Sequence, residues 1–469
     1  MSLVAVIGGG IAGLGAARDL SRAGLEVVVF EGSDRWGGKI DSAVLDGVRV
    51  DTGAESMLAR RPEPVALVES LGLADRLVHP TPAAPELLVA RGLHPLPRSV
   101  SGIPTDLDQL SRLLTPFGLA RARRDRDSGG VGADVAIGRF VDERLGREVT
   151  DRLVEPLLGG IYAGRARTLS FAAVSPALFQ RLGGGGSLVE QARAVAEEAP
   201  AGPVFAGLRG GLTVIVDALV EDLERAEVDL ESGVPAVRVQ VVNGGFEVIM
   251  GSGATARRVD AVVVAAPWRA ASRLLAEWPE LEGALSAVPY ASTAIVTMVV
   301  RGLRATTSGL LAAPGELPTI KALTYSSTKW AWLAAEATSR WGSDVTVVRA
   351  SVGRLGEERL LQLPDRQLLA RTFGEAARLP NWQHAQLIFG HVRRWGGALP
   401  QYLVGHRERV AAMLDRMARI GGLAICGAAL DGLGIAACLG SASAAAAKII
   451  ADLGAATSST HDHPEEGSR

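Results

Sequence analysis

Three glycines at fixed spacing stand near the start of the chain. Gly8-Gly9-Gly10-Ile11-Ala12-Gly13 fits G-x-G-x-x-G and follows directly on an apolar run, Leu3–Ile7. Gly8 permits a tight turn, Gly10 lets the main chain approach a pyrophosphate, and Gly13 allows a helix to pack closely on a strand. A helix starting at that turn aims its free N–H groups at phosphates and needs no side-chain cation. A second apolar run, Glu26–Phe30, ends in Glu31, where an acid accepts hydrogen bonds from ribose hydroxyls. A glycine turn that binds nothing and a surface acid are the bland alternatives. The two signals at this separation favour a dinucleotide.

What positions these residues is an alternation of strands and helices. Residues 1–55 read as strand, glycine turn, helix, strand and a second glycine-rich loop. Residues 62–82 read as a helix broken by Pro80, Pro82 and Pro85. Segment 104–155 is helix-rich, interrupted by Arg121–Gly132, which reads as a solvated loop. A contact with an anionic surface beside the amphipathic stretch Leu107–Leu119 is the lesser reading of that basic cluster. Farther on, a helix at 213–226 follows Gly210 and Gly211, and Val228–Leu230, Val234–Val242 and Phe246–Met250 read as an antiparallel meander. Val259–Ala266 is an unbroken apolar strand suited to a sheet buried on both faces. Strands at 291–301 and 344–352 and a helix at 364–377 come next. The last unit is strand Leu423–Cys426, a glycine-rich loop at 427–434 and a helix at 436–452, with a disordered tail at 454–469. Similar strand–glycine–helix units at both ends imply one nucleotide-binding domain assembled from distant segments. The fold class is α/β, a Rossmann-like domain with a mixed-sheet domain and an inserted helical domain.

Composition narrows the function. The chain has 469 residues, 48% hydrophobic and 21% charged, with 56 Gly and no collagen-like period, so it is globular and not disordered. Lys and Arg total 49 against 51 Asp and Glu, a formal charge of −2, and no basic field points to nucleic acid. Cys426 and Cys438 cannot form a disulfide framework, and the reducing cytoplasm is the expected location. Neither a basic leader nor a strongly apolar span is evident. Gly434–Ala447 is uncharged but built of small residues, so membrane association is at most peripheral. There is no Ser/His/Asp set and no Cys/His ligand spacing. No metal is expected, and His79, His94, His384, His391 and His406 read as structural.

The continuation after Glu31, Gly32-Ser33-Asp34-Arg35-Trp36-Gly37-Gly38-Lys39, resembles the flavoprotein pattern of an acid followed by Arg and a Gly-Gly pair. Asp51-Thr52-Gly53-Ala54-Glu55-Ser56 continues the likeness, and the helix fed by the carboxy-terminal loop would turn its positive end toward a flavin ring. FAD is the expected cofactor. Further segments are more specific: Pro156–Gly164 with Leu169-Ser170, Gly183–Leu188, Trp395–Tyr402 and Gly432–Ile435. With these the chain resembles the protoporphyrinogen/coproporphyrinogen oxidase family of heme biosynthesis, within the monoamine-oxidase-like flavoproteins.

That resemblance implies an oxidase that removes six electrons from a porphyrinogen in three flavin cycles, passing them to three O2 with release of three H2O2. No covalent nucleophile or metal is needed, since the flavin carries the redox work. A meso carbon must come within about 3–3.5 Å of its reactive nitrogen. The resemblance implies an FAD domain of 1–80, 204–265 and 396–453, a substrate domain of 81–103, 175–203 and 266–395, and a helical domain of 104–174. It assigns cofactor contacts to Gly8, Gly9, Gly10, Ile11, Ala12, Gly13, Glu31, Gly32, Lys39, Gly53, Ala54, Glu55, Ser56, Ala236, Trp395, Ala428, Leu433, Gly434 and Ile435. It places the Gly160 backbone in the substrate pocket as a proton acceptor, with Arg98 and Tyr162 as substrate-binding residues. Arg suits a propionate because its planar fork binds carboxylate bidentately. Coproporphyrinogen III, with four propionates, is favoured over protoporphyrinogen IX, with two, by the abundance of Arg and the absence of an anchoring apolar face. A ferrochelatase is the expected transient partner. Alternatives are a flavin amine oxidase, disfavoured by Tyr at only 162, 290, 325 and 402 with no aromatic pair near the carboxy-terminal loop, a carotenoid desaturase, and a non-catalytic flavin-fold binding protein.

Overall fold

The computed structural model describes residues 2–125, 129–251 and 255–459, with only the main chain described at 456–459. The first strand, Leu3–Ile7, pairs in parallel with Glu26–Glu31 on one side and Ala261–Val264 on the other. Asp229–Ser232 and Leu423–Ile425 extend the sheet outward, also in parallel. The runs VAVI, VVVF and AVVV are buried along nearly their whole length, as strands covered on both faces must be. On one face helices Ile11–Arg22, Thr213–Arg225 and Ile435–Ser459 share a core built on Leu14, Leu20, Leu219 and Ile449. The other face is covered by an antiparallel sheet, Ala236–Val242, Gly245–Met250 and Thr255–Val259, and by helices carrying Trp268, Leu281 and Met413.

Two expectations change here. Residues 228–230 do not begin the meander. They extend the parallel sheet beside Glu26–Glu31, and Thr255–Val259 supplies the third antiparallel strand. The apolar run 259–266 is not one strand, because Asp260 interrupts it. Its main-chain N–H donates to Leu3 O at 2.8 Å and its carboxylate accepts from Leu3 N at 2.7 Å, so the chain passes from one sheet to the other at that residue.

The second layer is a mixed sheet in the order 386–400, 290–301, 345–352, 320–325, 309–312, 85–89 and 92–95. Its pairings are antiparallel except between Gly309–Ala312 and Pro85–Val89. The helices between 116 and 198 share a core with the mixed sheet, through Leu87, Val89 and Ala313. Leu178, Leu182, Leu188, Val189 and Ala192, from the segment 175–203, belong to it. Part of the expected solvated loop 121–132 is anchored: Asp125 is buried beneath Arg144 at 3.0 Å and accepts from Ser187 at 2.8 Å. Residues 126–128 lie outside the described residues. So does most of the 454–469 tail, although 454–459 continue the last helix. That helix, over Ile435–Ala455, is long and apolar enough to cross a membrane by length and composition. In this fold Ala442, Ala446 and Ile449 are buried against the first helix and sheet.

The two sheets are joined by a buried ion cluster. Glu55 accepts from Lys329 Nζ at 2.5 Å and from Arg349 Nη1, while Arg349 Nη2 donates to Gly53 O at 2.5 Å. Burial pushes the Glu55 carboxyl up, but the charges of Lys329 and Arg349 outweigh it and hold the group at about 2, below its ordinary 4.5. A depressed carboxylate stabilises the fold fully above its unfolded value and loses that contribution as pH falls through its folded value. Glu55→Gln leaves two buried cations uncompensated and is expected to cost about 3–5 kcal/mol at neutral pH. The difference in Tm between wild type and variant should narrow as the pH is lowered from 5 toward 2; a constant difference would refute the assignment.

Candidate active site

The carboxyl ends of Leu3–Ile7, Ala261–Val264 and Leu423–Ile425 open onto one cleft of about 480 Å³. Parallel strands leave a crevice at this edge, where α/β proteins bind ligands. Gly8 sits there at φ +118°, and a Cβ on it would meet the Ala265 carbonyl carbon and oxygen at 2.9 Å. A Cβ on Gly13 would stand 1.8 Å from Gly8 O, so the helix can rest on the turn only if that position is bare. Gly37 and Gly38, at φ +99° and +58°, pass close against Gly10. Gly37 N donates to Gly9 O at 2.8 Å, and a Cβ on Gly38 would come within 3.0 Å of Gly10 Cα.

Both ends of the chain reach this cleft. Ile11 and Ala12, from the first helix, and Ile435, from the last, line it. The first helix has no side-chain N-cap, which leaves its leading N–H groups for an anion. The carboxy-terminal loop is held by Gly427 N donating to Ser441 Oγ at 3.0 Å. Donors at glycine turns and a wall of small apolar side chains reached from both ends of the chain fit a dinucleotide.

Most sequence-predicted contacts meet here: Gly8, Gly10, Ile11, Ala12, Glu31, Gly32, Lys39, Ala54, Ala236, Trp395, Ala428, Leu433 and Ile435 line the cleft. Others act from behind or elsewhere. Gly9 supports the Trp36 indole, which a Cβ would strike at 2.3 Å, and its N–H donates to Glu31 Oε2 at 2.7 Å. Gly13 packs on Gly8. Gly53, Glu55 and Ser56 are not in the wall, because the ion cluster draws that segment toward the mixed sheet; Gly434 is also outside it. Glu31 lines the cleft while its other oxygen accepts from Ser33 N at 2.8 Å and Ser33 Oγ at 2.7 Å. Burial lowers the Lys39 ammonium below the usual lysine value, against an opposing pull from nearby Cys438, whose thiol burial raises to about 11.

Trp395 is fixed on three sides. Its Nε1 donates to Thr52 O at 3.0 Å, and the guanidinium carbons of Arg393 and Arg35 lie 4.7 and 5.6 Å from the ring centre. Arg393 is itself paired with Asp41 at 2.9 Å. Ala265, Ala266, Pro267 and Tyr290 also line the cleft and were missed from sequence, although Ala265–Pro267 directly follow an apolar strand whose end shares this edge.

The substrate assignments divide. Gly160 and Tyr162 lie on the helix Glu155–Tyr162, outside the cleft wall but tied to it. Tyr162 O accepts from Gln401 Nε2 at 2.7 Å, and the Tyr162 ring meets Tyr402 edge-on at 5.6 Å. Tyr402 donates its hydroxyl to Ala428 O and stacks on His406 at 4.2 Å. An aromatic pair therefore does stand by the carboxy-terminal loop, contrary to expectation, because residues 162 and 402 meet only in the tertiary fold. Tyr402 is 1% exposed and does not line the cleft. Burial pushes the Tyr162 hydroxyl up to about 12. Arg98 is misplaced by the sequence reading. It is exposed, and its Nη2 donates to Ala196 O at 3.1 Å, because the short strand Ser99–Val100 turns it onto the outer helix Leu188–Glu198.

Residues 11–450 match the family of flavin-containing amine oxidoreductases. A coproporphyrinogen III oxidase of Mycobacterium tuberculosis is 35% identical over 96% of this chain and 98% of its own length. One from Bacillus subtilis is 29% identical over 94% and 96%. A crystal structure from Exiguobacterium, provisionally named a protoporphyrinogen oxidase, superposes with a TM-score of 0.83 at 28% identity, covering 96% of this chain and 99% of that one. Cyclohexylamine oxidase from Brevibacterium oxydans, at 15% identity and a TM-score of 0.70, shares the fold.

Gly13→Val drives a side chain into the Gly8 carbonyl. The purified variant should keep its helical circular dichroism but carry less than about a tenth of the wild-type flavin absorbance per protein; full flavin content would detach this turn from the cofactor.

Proposed function

Because the chain belongs to the flavin-containing amine oxidoreductases, and within them to the protoporphyrinogen/coproporphyrinogen oxidases, we propose that it oxidises coproporphyrinogen III to coproporphyrin III in the cytoplasm. It is an FAD-dependent oxidoreductase. The proposed stoichiometry is one porphyrinogen and three O2 giving one porphyrin and three H2O2. A transient contact with a ferrochelatase that takes up the product belongs to the same proposal.

The observation that carries this reading is the meeting of two segments distant in sequence. Gly159–Gly164 and Trp395–Tyr402 are the stretches most specific to the family, and they are hydrogen-bonded together, the second also lining the cleft with Trp395–Ala398. Gln401 binds Tyr162 O, Ser170 N donates to Tyr402 O at 2.7 Å, and Leu169 bridges to Leu403. When bound, FAD supplies the two-electron acceptor. The glycine turns and the two helix ends would hold its phosphates, Glu31 a ribose, and Trp395 would wall the ring end. The main chain around Gly160 would stand as hydrogen-bond acceptor toward a pyrrole N–H, whose proton leaves to water. Among the described residues no group of three His, Cys, Asp or Glu side chains is placed to hold a metal ion.

An amine oxidase is less well supported. Tyr402 donates to the Ala428 carbonyl, and neither Tyr162 nor Tyr402 lines the cleft.

Mixed anaerobically with coproporphyrinogen III, the enzyme should lose its flavin colour, and porphyrin fluorescence should follow on admission of air. Protoporphyrinogen IX lacks two carboxylates; losing one charge-assisted contact of about 1.5–3 kcal/mol lowers kcat/KM about tenfold or more. Bleaching by a primary amine but by neither porphyrinogen would refute the substrate class.

A further inference from the structure

The alternation of the mixed sheet breaks at one buried cation. In Ile320–Tyr325, Ile320 and Leu323 both enter the core between the sheet and the helix Asp365–Ala376. Two residues separate them, so a regular pleat would turn them to opposite faces. The pairing with Val345–Val352 slips between Ile320 and Ala322, and Lys321 is the extra residue. Such a bulge re-aims a side chain. Lys321 is 2% exposed, and among the described residues its Nζ has no hydrogen-bond or ion-pair partner.

A second cation lies beside it. Arg354 follows the same strand pair, is 8% exposed, and has its Nε buried without a partner. Its Nε would stand 3.4 Å, and its Nη2 3.5 Å, from a Cβ on Gly159. The segment bearing Arg354 is docked on the same helix, since Leu355 N donates to Ala163 O at 2.8 Å, where Ala163 ends the helix at φ +50°.

Two carboxylates lie nearby, and one of them keeps a free oxygen: Glu155 Oε1 is buried without a hydrogen bond. Glu357 is bound by Arg165, which also lies 3.6 Å from Glu155, and Glu155 accepts from Ala166 N at 2.7 Å. Three cations (Arg165, Lys321 and Arg354) face two anions (Glu155 and Glu357). Among the described residues neither Lys321 nor Arg354 has an ion-pair partner, so each is open to a carboxylate that would hold it charged. Burial and the charge of Arg354 lower Lys321 to about 7 against the opposing pull of Glu357, and burial lowers Arg354 as well.

We propose that Lys321 and Arg354 form a cradle for one propionate carboxylate of the tetrapyrrole, closed by the bare Gly159–Gly160 surface. This rests on the porphyrinogen reading above and names a specificity element within it. Gly160 faces Leu311 of the adjacent strand, a Cβ there coming within 3.1 Å of Leu311 Cδ2. Arg354 thus meets the helix Glu155–Tyr162 at Gly159, while Gln401 and Tyr402, which follow the cleft-lining segment Trp395–Ala398, meet it at Tyr162. Arg354 offers a planar fork and Lys321 a movable point charge, a combination that suits a carboxylate on a flexible two-carbon arm.

The test uses flavin-loaded, full-length Lys321→Met, Arg354→Gln and Lys321→Arg proteins. For coproporphyrinogen III, Lys321→Met and Arg354→Gln should raise KM about tenfold or more, the worth of one charge-assisted contact, with kcat held within about twofold. Lys321→Arg should restore KM. Binding of coproporphyrin III, read by quenching of protein fluorescence, should weaken in parallel. Wild-type turnover with KM and product binding unchanged in both neutral variants overturns the cradle and leaves the porphyrinogen reading intact. Wild-type enzyme that neither oxidises nor binds these tetrapyrroles overturns that reading, and the cradle with it.

Discussion

Main chain touching main chain is the constraint on which this molecule rests. The first helix lies on the Gly8 turn because Gly13 has no side chain, and Gly38 can run past Gly10 because it lacks a Cβ, which would come within 3.0 Å of Gly10 Cα. With the main chain brought so close, leading N–H groups of a helix face the cleft, where a phosphate would satisfy them without a cation. The carboxy-terminal unit adds the wall on the other side, its helix start at Ile435 and its loop at Cys426–Ala429 facing the same space. The parallel order of the sheet, with Leu3–Ile7 between Glu26–Glu31 and Ala261–Val264, places both units at one edge. A side chain at Gly13 would separate helix from strand.

Charge is used in two opposite ways around this frame. Glu55 is buried with Lys329 and Arg349 both in contact, and this pairing locks the nucleotide domain to the mixed sheet. It also explains why Gly53, Glu55 and Ser56 leave the cleft wall although Ala54 stays in it. At Lys321 and Arg354 the same burial comes without an ion-pair partner among the described residues. A compensated cluster serves the fold; an uncompensated one, beside a bare glycine pair, fits a ligand that brings the missing charge.

Local pattern made the strand–glycine–helix units at Leu3–Arg22 and at Leu423–Ser459 legible, because a tight turn before a helix demands glycine whatever surrounds it. It failed where the neighbours decide. Residues 228–230 have the alternation of an antiparallel strand, yet they pair in parallel with Glu26–Glu31 because the sheet has an open edge there. Arg98 lies next to Pro97 as a ligand loop might, but the strand that follows turns it outward to Ala196. Lys321 carries no sign in its own stretch of sequence, since a bulge is a property of two strands in register and not of one.

The sequence by itself determined the cofactor class, the two glycine turns and the apolar strands behind them, because these follow from short-range sterics and periodicity. Tertiary structure alone decided which of the predicted residues face the cleft, how Tyr162 comes to meet Tyr402 across the chain, and where two cations are buried without ion-pair partners among the described residues. Those outcomes depend on contacts between segments hundreds of residues apart, whose relative placement is fixed by packing and by the desolvation of charge.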